Sequence, residues 1–145
     1  MKRGGKVKQE KRVLLLALYI LKKKHGFASV RKRHALSFIK GKQLMKIPED
    51  ERAMRSDYDE IWENDIARKR QDLVDSGHLE KMRDVDAWQI SEKGVSEVED
   101  WAQRVRAYTQ TKVDWRRDLE AMPEDDIYLS PEAVEWLMKI ATGTL

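Results

Sequence analysis

The chain has 145 residues, of which 38% are charged and none is cysteine. This length suits one domain, or one small domain with an appendage. The absence of cysteine excludes a disulfide scaffold, a zinc finger and a cysteine nucleophile. Because 41% of the residues are hydrophobic and five are tryptophan, we expect a folded, mainly helical protein rather than a disordered chain. The absence of cysteine fits a reducing cytoplasm, where we expect the protein to be located.

Positive charge is concentrated at the start of the chain. Residues 1–46 contain 15 lysines and arginines and one acid, Glu10, for a net charge of +14, whereas residues 47–145 contain 14 basic and 25 acidic residues, for a net charge of −11. This asymmetry indicates a basic surface for a polyanion. The alternative is that the basic segment pairs internally with the acidic one. Duplex recognition requires that these cations form a continuous, unneutralised surface.

The longest apolar run, Val13–Leu21, has nine residues, and a membrane-spanning helix needs about 20. Lys22, Lys23 and Lys24 follow the run where a signal peptide would have its cleavage site. The run therefore predicts a helix that is buried nearly all round, with no membrane association and no export.

Two helices are predicted in the basic segment, after a basic tail that ends near Lys6. The first runs from Val7 to His25 and stops at Gly26 in a left-handed conformation. Ser29 is the predicted N-cap of a second helix, Val30–Ile39. Basic residues crowd the first turns of this second helix, which is the wrong sign of charge for a helix N-terminus, and an external anion would relieve the mismatch.

A third helix is predicted over residues 57–76, where Ser56 and Asp59 resemble a capping box and Gly77 ends the helix. Its predicted buried residues are Trp62, Ile66 and Leu73. Two strand-like runs follow, Leu79–Met82 and Ala87–Ile90, and the turn between them completes a hairpin. Ser91 caps a fourth helix, and the apolar stripe of that helix is Val95, Val98, Trp101 and Val105.

The region after residue 106 differs in composition and is predicted to be an acidic helical appendage, 107–145, to a main domain, 1–106. Val113–Met122 is a predicted helix. Ser130, Pro131 and Glu132 form a strong start signal for the last helix. The apolar residues of this region either form a homodimer or partner surface, or fold back to complete the core; they are Trp115, Trp136, Leu137 and Ile140.

Three helices followed by a hairpin is the order of a winged helix-turn-helix, in which the third helix enters the major groove. Within this order, several segments resemble the N-terminal winged-helix domain of the Mrr family. They are Trp62-Glu63-Asn64, Ile66-Ala67, Leu73, Ser76-Gly77, Leu79 and Ala87-Trp88-Gln89-Ile90-Ser91-Glu92-Lys93-Gly94. The resemblance covers residues 7–106. It implies a DNA-reading module of modification-dependent restriction systems, with modified cytosine as a candidate target. The chain departs from the family at Asp65, where Arg is favoured, and at Arg68 and Lys69, where apolar residues are favoured.

Candidate DNA-binding residues lie in three groups, and for each the alternative is an ordinary solvated face. Asn64, Arg68 and Gln71 recur at helical spacing and carry groups that pair with base edges, while the neighbouring Lys69 reaches the DNA backbone or pairs with an acid one turn away. Phosphate contacts are predicted for Arg31, Lys32, Arg33, Lys40 and Lys42, and for Lys81 and Arg83 beside the hairpin turn. The basic residues of the N-terminal segment can follow a groove as a flexible arm; they are Lys2, Arg3, Lys6, Lys8, Lys11 and Arg12.

No constellation indicates catalysis, a cofactor or a metal site. Gln110-Thr111-Lys112 matches the letters of a nuclease signature but has no apolar strand around it, and His25, His34 and His78 lack metal-ligand spacing. There is no phosphate-binding glycine loop or serine elbow. The sequence predicts a non-enzymatic winged-helix protein of a prokaryote or phage that binds double-stranded DNA. The alternatives are a winged-helix transcriptional regulator, a protein-interaction adaptor that uses the C-terminal helices, and mimicry of DNA by the acidic half.

Overall fold

The computed structural model describes residues 3–47, 49–54, 59–110 and 130–145, with backbone only for 3–8. In these ranges the protein is mainly helical with one small antiparallel sheet of two strands. The elements in chain order are α1 (Arg3–Lys23), β1 (Val30–Arg31), α2 (Lys32–Gly41), a 3-10 turn (Glu49–Arg52), α3 (Ile61–Asp75), β2 (Ala87–Trp88), α4 (Glu92–Gln110) and α5 (Pro131–Thr142). No helix in the described ranges is long and apolar enough to cross a lipid bilayer.

Helix α1 is the centre of the core. Every residue from Val13 to Leu21 is buried, and the most exposed of them, Tyr19, has only 6% of its surface accessible. Helices α2, α3 and α4 all pack against α1, which explains why the run is apolar on every side. The prediction of a helix buried nearly all round is confirmed, although the helix begins at Arg3, inside the segment predicted to be a tail.

The connection from α1 to α2 differs from the prediction. Gly26 adopts the expected left-handed conformation, with φ of +79°, and its N–H donates to the carbonyl of Lys22. Ser29 is not the N-cap of the second helix, because Val30–Arg31 is extended and pairs with β2. The cap position is Arg31, whose side chain makes no capping hydrogen bond. A strand partner this far along the chain leaves no local signal in the sequence.

Helix α3 begins later than predicted, with Glu60 as its N-cap. The Glu63 carboxylate accepts a hydrogen bond of 2.9 Å from the backbone N–H of Glu60, which stabilises the first turn. The predicted cap, Ser56, lies outside the described residues. The predicted end at Gly77 is confirmed by its φ of +84° and by a 2.8 Å hydrogen bond from the His78 N–H to the Leu73 carbonyl.

The hairpin is present, but its strands pair differently from the prediction. Leu79 and Ile90 form an antiparallel bridge, and a 2.8 Å backbone bond from Glu80 to Gln89 joins the two arms beyond it. Ala87–Trp88 does not pair with Lys81 and Met82 and instead pairs with β1, opposite Val30 and Arg31. This arrangement buries Val30 and Trp88 opposite each other. Pairing with the exposed Lys81 instead would bury no second apolar side chain.

Helices α4 and α5 pack against each other. The Ser91 hydroxyl caps α4 by accepting from the Gly94 N–H, and the predicted apolar stripe of this helix is buried. Ser130 caps α5 as predicted, and α4 continues without a break past residue 106 to Gln110. The predicted helix Val113–Met122 lies outside the described residues, and the division at 106 stays a prediction.

Helix α5 folds back onto the body of the protein. Ala133, Val134 and Leu137 are fully buried in the same hydrophobic core as α1, and Trp136 and Ile140 are half-buried against it. Of the two roles predicted for the apolar residues of the last helix, completion of the core is therefore observed.

Candidate nucleic-acid interface

The start of α2 is tied to the start of α3 by ion pairs. The Arg33 guanidinium contacts both the Asp59 and the Glu63 carboxylates. Lys32 approaches the same Asp59, with Nζ 3.3 Å from the carboxylate oxygen. The side chains of Asp59 and Glu63 are only 13% and 9% exposed, whereas that of Arg33 is 52% exposed. The arginine thus covers two largely buried acids at the N-terminus of α3.

Two further pairs extend this arrangement. Arg31 pairs with Asp84 in the hairpin turn, and Lys40 Nζ lies 3.1 Å from the Glu60 carboxylate. The bond from Lys40 lowers the pKa of Glu60. The backbone N–H of residue 86 and the guanidinium of Arg31 lower the pKa of Asp84. We call the residues that join α2, α3 and the hairpin the junction cluster: Arg31, Lys32, Arg33, Lys40, Asp59, Glu60, Glu63 and Asp84.

The junction cluster corrects the central electrostatic expectation from the sequence. Arg31, Lys32, Arg33 and Lys40 do not form a continuous free cationic surface, because acids from downstream segments neutralise them. The pair of Arg31 with Asp84 is exposed on both sides, and such a pair contributes only about 0–1 kcal/mol to stability, so its larger consequence is for surface charge. The four cations fix α2, α3 and the hairpin relative to one another, and they are therefore not available to bind phosphates.

Lys42 directly follows α2, two positions after Lys40. It lines a cavity of about 290 Å³ with Trp136 and Lys139 of α5. The indole ring of Trp136 also lies 5.3 Å from Lys24 Nζ and 5.0 Å from Lys139 Nζ. The structure therefore places Lys42 beside the C-terminal helix, whereas Lys40 is held by its pair with Glu60.

The outward face of α3 carries the predicted base-reading residues. Arg68 and Gln71 are exposed and Asn64 is half-buried. Gln71 donates a 2.8 Å hydrogen bond to Asp75, and Arg68 has no ion pair with any described residue. The Gln71 amide also accepts a 3.2 Å hydrogen bond from Arg70, so this face offers Arg68 and the Asn64 amide more directly than the Gln71 amide.

Lys69 lies on a different face of α3 and turns towards α1. Its Nζ is 3.8 Å from the carboxylate of Glu10, and its side chain is only 16% exposed. The second of the two roles predicted for Lys69, pairing with an acid, is the one observed, although the acid belongs to another helix.

The hairpin turn carries the remaining predicted cations. Lys81 and Arg83 are exposed, and within the described ranges neither forms an ion pair. A 2.8 Å hydrogen bond from the Lys32 N–H to the Asp86 carbonyl ties this turn to the start of α2. The hairpin is therefore fixed beside the first turns of α2, with two basic side chains facing solvent.

The basic residues of the N-terminal segment belong to α1 instead of a flexible arm. Residues 3–8 have helical backbone, and Lys2 lies outside the described residues. Lys11 Nζ lies 3.9 Å from the Asp72 carboxylate, and the Arg12 guanidinium lies 5.5 Å from the centre of the Trp101 ring. Lys11 and Arg12 are thus held against the body of the protein.

Sequence reasoning missed the acids that neutralise α2. Internal pairing of the basic and acidic segments is an alternative that the sequence leaves open, but the sequence does not identify Asp59, Glu60, Glu63 and Asp84 as the partners. The pairs join residues between 20 and 53 positions apart in the chain. The only signal in the sequence was the presence of opposite charges on elements that become neighbours in a helical fold with a hairpin.

Comparison with known proteins identifies no relative of the chain. No protein-family model matches the sequence, and no characterised protein or solved structure is significantly similar to it. Among the described residues, no three His, Asp or Glu side chains are grouped so that they could hold a metal ion.

Proposed function

We propose that the chain binds double-stranded DNA as a winged helix, with α3 in a groove and the hairpin against the backbone. The observation that supports this proposal is the connectivity. β1, which lies between α1 and α2, pairs with β2 in the segment after α3, and Leu79 and Ile90 pair beside it. The order of three helices followed by a hairpin is the order of the winged helix that the Mrr-like motifs imply, and the pairing of β1 with β2 holds the hairpin beside the start of α2.

The continuous, unneutralised cationic surface that the sequence required for duplex recognition is not found at α2, because Arg31, Lys32, Arg33 and Lys40 are paired with acids. The proposal therefore rests on the smaller set of side chains on α3 and the hairpin. Arg68 on α3 is suited to the guanine edge, and the amides of Asn64 and Gln71 are suited to adenine. Lys81 and Arg83 on the hairpin are suited to phosphates. The junction cluster positions these two elements relative to each other without contacting DNA itself.

This assignment has a measurable consequence for the salt dependence of binding. Each phosphate neutralised contributes a slope of about −0.9 to the logarithm of affinity against the logarithm of salt concentration. Replacing Lys81 or Arg83 with Ala should therefore make the slope less steep by about 0.9, because each is free to release a counterion. Arg33→Ala is the matched control and should leave the slope unchanged, since Arg33 is occupied by two acids.

The experiment is a titration of the full chain with a duplex of about 20 base pairs at several salt concentrations, read by fluorescence anisotropy. Absence of binding to any duplex, or an affinity independent of salt, overturns the proposal. A slope that responds to Arg33→Ala and not to Arg83→Ala would show that the junction cluster opens and that the contacts are wrongly assigned.

The acids of the junction cluster provide a reverse test. Asp59→Asn combined with Glu63→Gln keeps the size of both side chains but removes the charges that hold Lys32 and Arg33. We expect tighter DNA binding and a slope steeper by up to about 1.8, the contribution of two more phosphate contacts. An unchanged slope would mean that these two cations do not face the duplex.

A narrower form of the proposal is a preference for modified cytosine, which follows from the Mrr-like motifs. Duplexes of one sequence, with and without 5-methylcytosine, test it directly, and equal affinities reject it. A transcriptional regulator would instead select one unmodified sequence from a random pool.

A second candidate function is a protein-interaction adaptor. The observation that favours it is the neutralisation of the cations at the start of α2, which leaves a surface with little net charge. Light scattering on the full chain distinguishes a self-associating adaptor from a monomer. A strict monomer that binds DNA with the predicted slope argues against this candidate.

A further inference from the structure

A stripe of accessible side chains runs along one face of α2, on residues that have no contact in the DNA-binding proposal. His34, Phe38 and Lys42 recur every four positions, which places them on the same face. His34 and Lys42 are exposed and Phe38 is half-buried. With a rise of about 1.5 Å per residue, these three side chains extend over about 12 Å.

The segment after α1 adds aromatic rings to one end of this stripe. The Phe27 ring packs edge-to-face on the His34 ring with 5.2 Å between their centres, and His25 packs on Phe38 in the same way at 6.0 Å. Phe27 is nevertheless 45% exposed. Its ring is therefore held in place and still accessible, and aromatic side chains of this kind bind a partner at a low cost in conformational entropy.

The other end of the stripe is basic. Lys24 Nζ and Lys139 Nζ lie 5.3 Å and 5.0 Å from the centre of the Trp136 ring, and Lys42 lines a cavity with Trp136 and Lys139. None of these three lysines forms an ion pair with a described residue. Contact with the indole ring orients an ammonium group but does not neutralise it. We call these residues the α2 stripe: Lys24, Phe27, Phe38, Lys42, Trp136 and Lys139.

Two acids beside the basic end determine which kind of anion it accommodates. Glu132 and Glu135 of α5 line the same cavity as Lys42. A nucleic acid backbone carries a negative charge at every nucleotide and would meet these carboxylates, whereas an acidic peptide can place neutral side chains beside them. The accessible Phe27 ring also favours a peptide, because aromatic residues are enriched at the centre of protein interfaces.

We propose that the α2 stripe binds a segment of a partner protein that carries acidic residues next to an apolar side chain. The acidic residues contact Lys24, Lys42 and Lys139, and the apolar side chain packs on Phe27. A length of about 12 Å corresponds to about four residues of an extended chain or about eight residues of a helix. The proposal stands independently of DNA binding.

The test is a titration of the isotopically labelled full chain with a synthetic peptide of about eight residues, in which glutamates and serines precede one phenylalanine. Binding is followed by the amide signals of α2 and by the indole N–H signal of Trp136. We expect saturable shifts confined to the α2 stripe. The same peptide with glutamine in place of glutamate should bind about tenfold more weakly, because it lacks the complementary charge.

Two variants separate the two ends of the stripe. Phe27→Ser should weaken binding by about tenfold through loss of the aromatic anchor, whereas Met54→Ser, at a site that is 58% exposed, is the matched control and should have no effect. Lys24→Gln combined with Lys139→Gln should weaken binding by about fivefold at low salt, and by less at high salt. Its control is Arg104→Gln, which removes an exposed cation from α4.

Four results would overturn the proposal. Equal binding of the glutamine peptide would show that the lysines select no charge. Absence of saturable shifts at millimolar peptide would show that the stripe is an ordinary solvated face. Shifts at the stripe with a DNA duplex, weakened by the same lysine variant, would show a nucleic acid contact instead. Shifts that depend on the concentration of the chain alone would show that a second copy occupies the stripe.

Discussion

Replacement of Gly94 with alanine tests the packing between α4 and the turn after α3. Gly94 is buried in the first turns of α4. An added Cβ would lie 2.3 Å from the His78 carbonyl oxygen and 2.6 Å from Ile90 Cγ1. The His78 carbonyl also accepts a 3.1 Å hydrogen bond from the Ser91 N–H, so it cannot move away without weakening the start of α4.

The magnitude follows from these distances. Carbon and oxygen atoms do not approach much below 3 Å, so α4 and the turn must separate by roughly 1 Å, and overpacking of this kind costs about 1–3 kcal/mol. Alanine is better than glycine in a helix by up to about 1 kcal/mol, which offsets part of this cost. We therefore expect Gly94→Ala to lower the free energy of unfolding by about 1–2 kcal/mol.

Urea denaturation followed by tryptophan fluorescence measures this change, and Gly41→Ala is the matched control. Gly41 is helical, and a Cβ there would meet no atom within 4 Å. We expect Gly41→Ala to be neutral or to stabilise by up to about 1 kcal/mol. If the two variants were equally stable, the close approach of Gly94 to the turn would be refuted.

Three further predictions concern titrating and capping groups. Burial, together with the hydrogen bond to Glu99, raises the pKa of Tyr19 to about 12 from 10.0, so stability should fall as pH rises through this interval, and Tyr19→Phe should remove that loss in alkaline thermal melts. The pKa of Asp84 is lowered, so its carboxylate stabilises the fold above the unfolded pKa of about 3.9, and this stabilisation is lost as the pH falls below that value. Asp84→Asn should therefore make the melting temperature depend less on pH in this acid range, and an unchanged dependence would contradict the assignment. Ser130→Ala removes the hydroxyl that accepts from the Ala133 N–H and should destabilise the fold by about 1 kcal/mol in urea; a shift below a few tenths would show that the cap contributes little.

Local signals in the sequence predicted the buried run of α1, the helix ends at glycine and the start of α5, although the starts of α1, α2 and α3 differ from the prediction. The run Val13–Leu21 is apolar without a polar face, and this pattern is typical only of a helix surrounded by others. Gly26 and Gly77 marked helix ends because each takes a left-handed conformation that other residues avoid. Ser130 marked the start of α5 because a hydroxyl followed by proline satisfies the first turn.

Non-local pairing could not be predicted in the same way. Val30 and Arg31 were assigned to a helix because nothing near them indicates that their strand partner lies after α3. Arg33 is predicted to contact phosphate because its acidic partners, Asp59 and Glu63, lie 26 and 30 positions further along the chain. In the candidate site, the sequence thus identified basic side chains but not which of them the fold leaves uncompensated.

The position of α1 determines how the protein unfolds. Since α2, α3 and α4 each bury their apolar faces on it, none of them can detach without exposing part of a segment that has no polar side. Backbone amides of residues 13–21 should therefore exchange their hydrogens for deuterium only when the whole molecule opens, and should define the slowest-exchanging group in the chain.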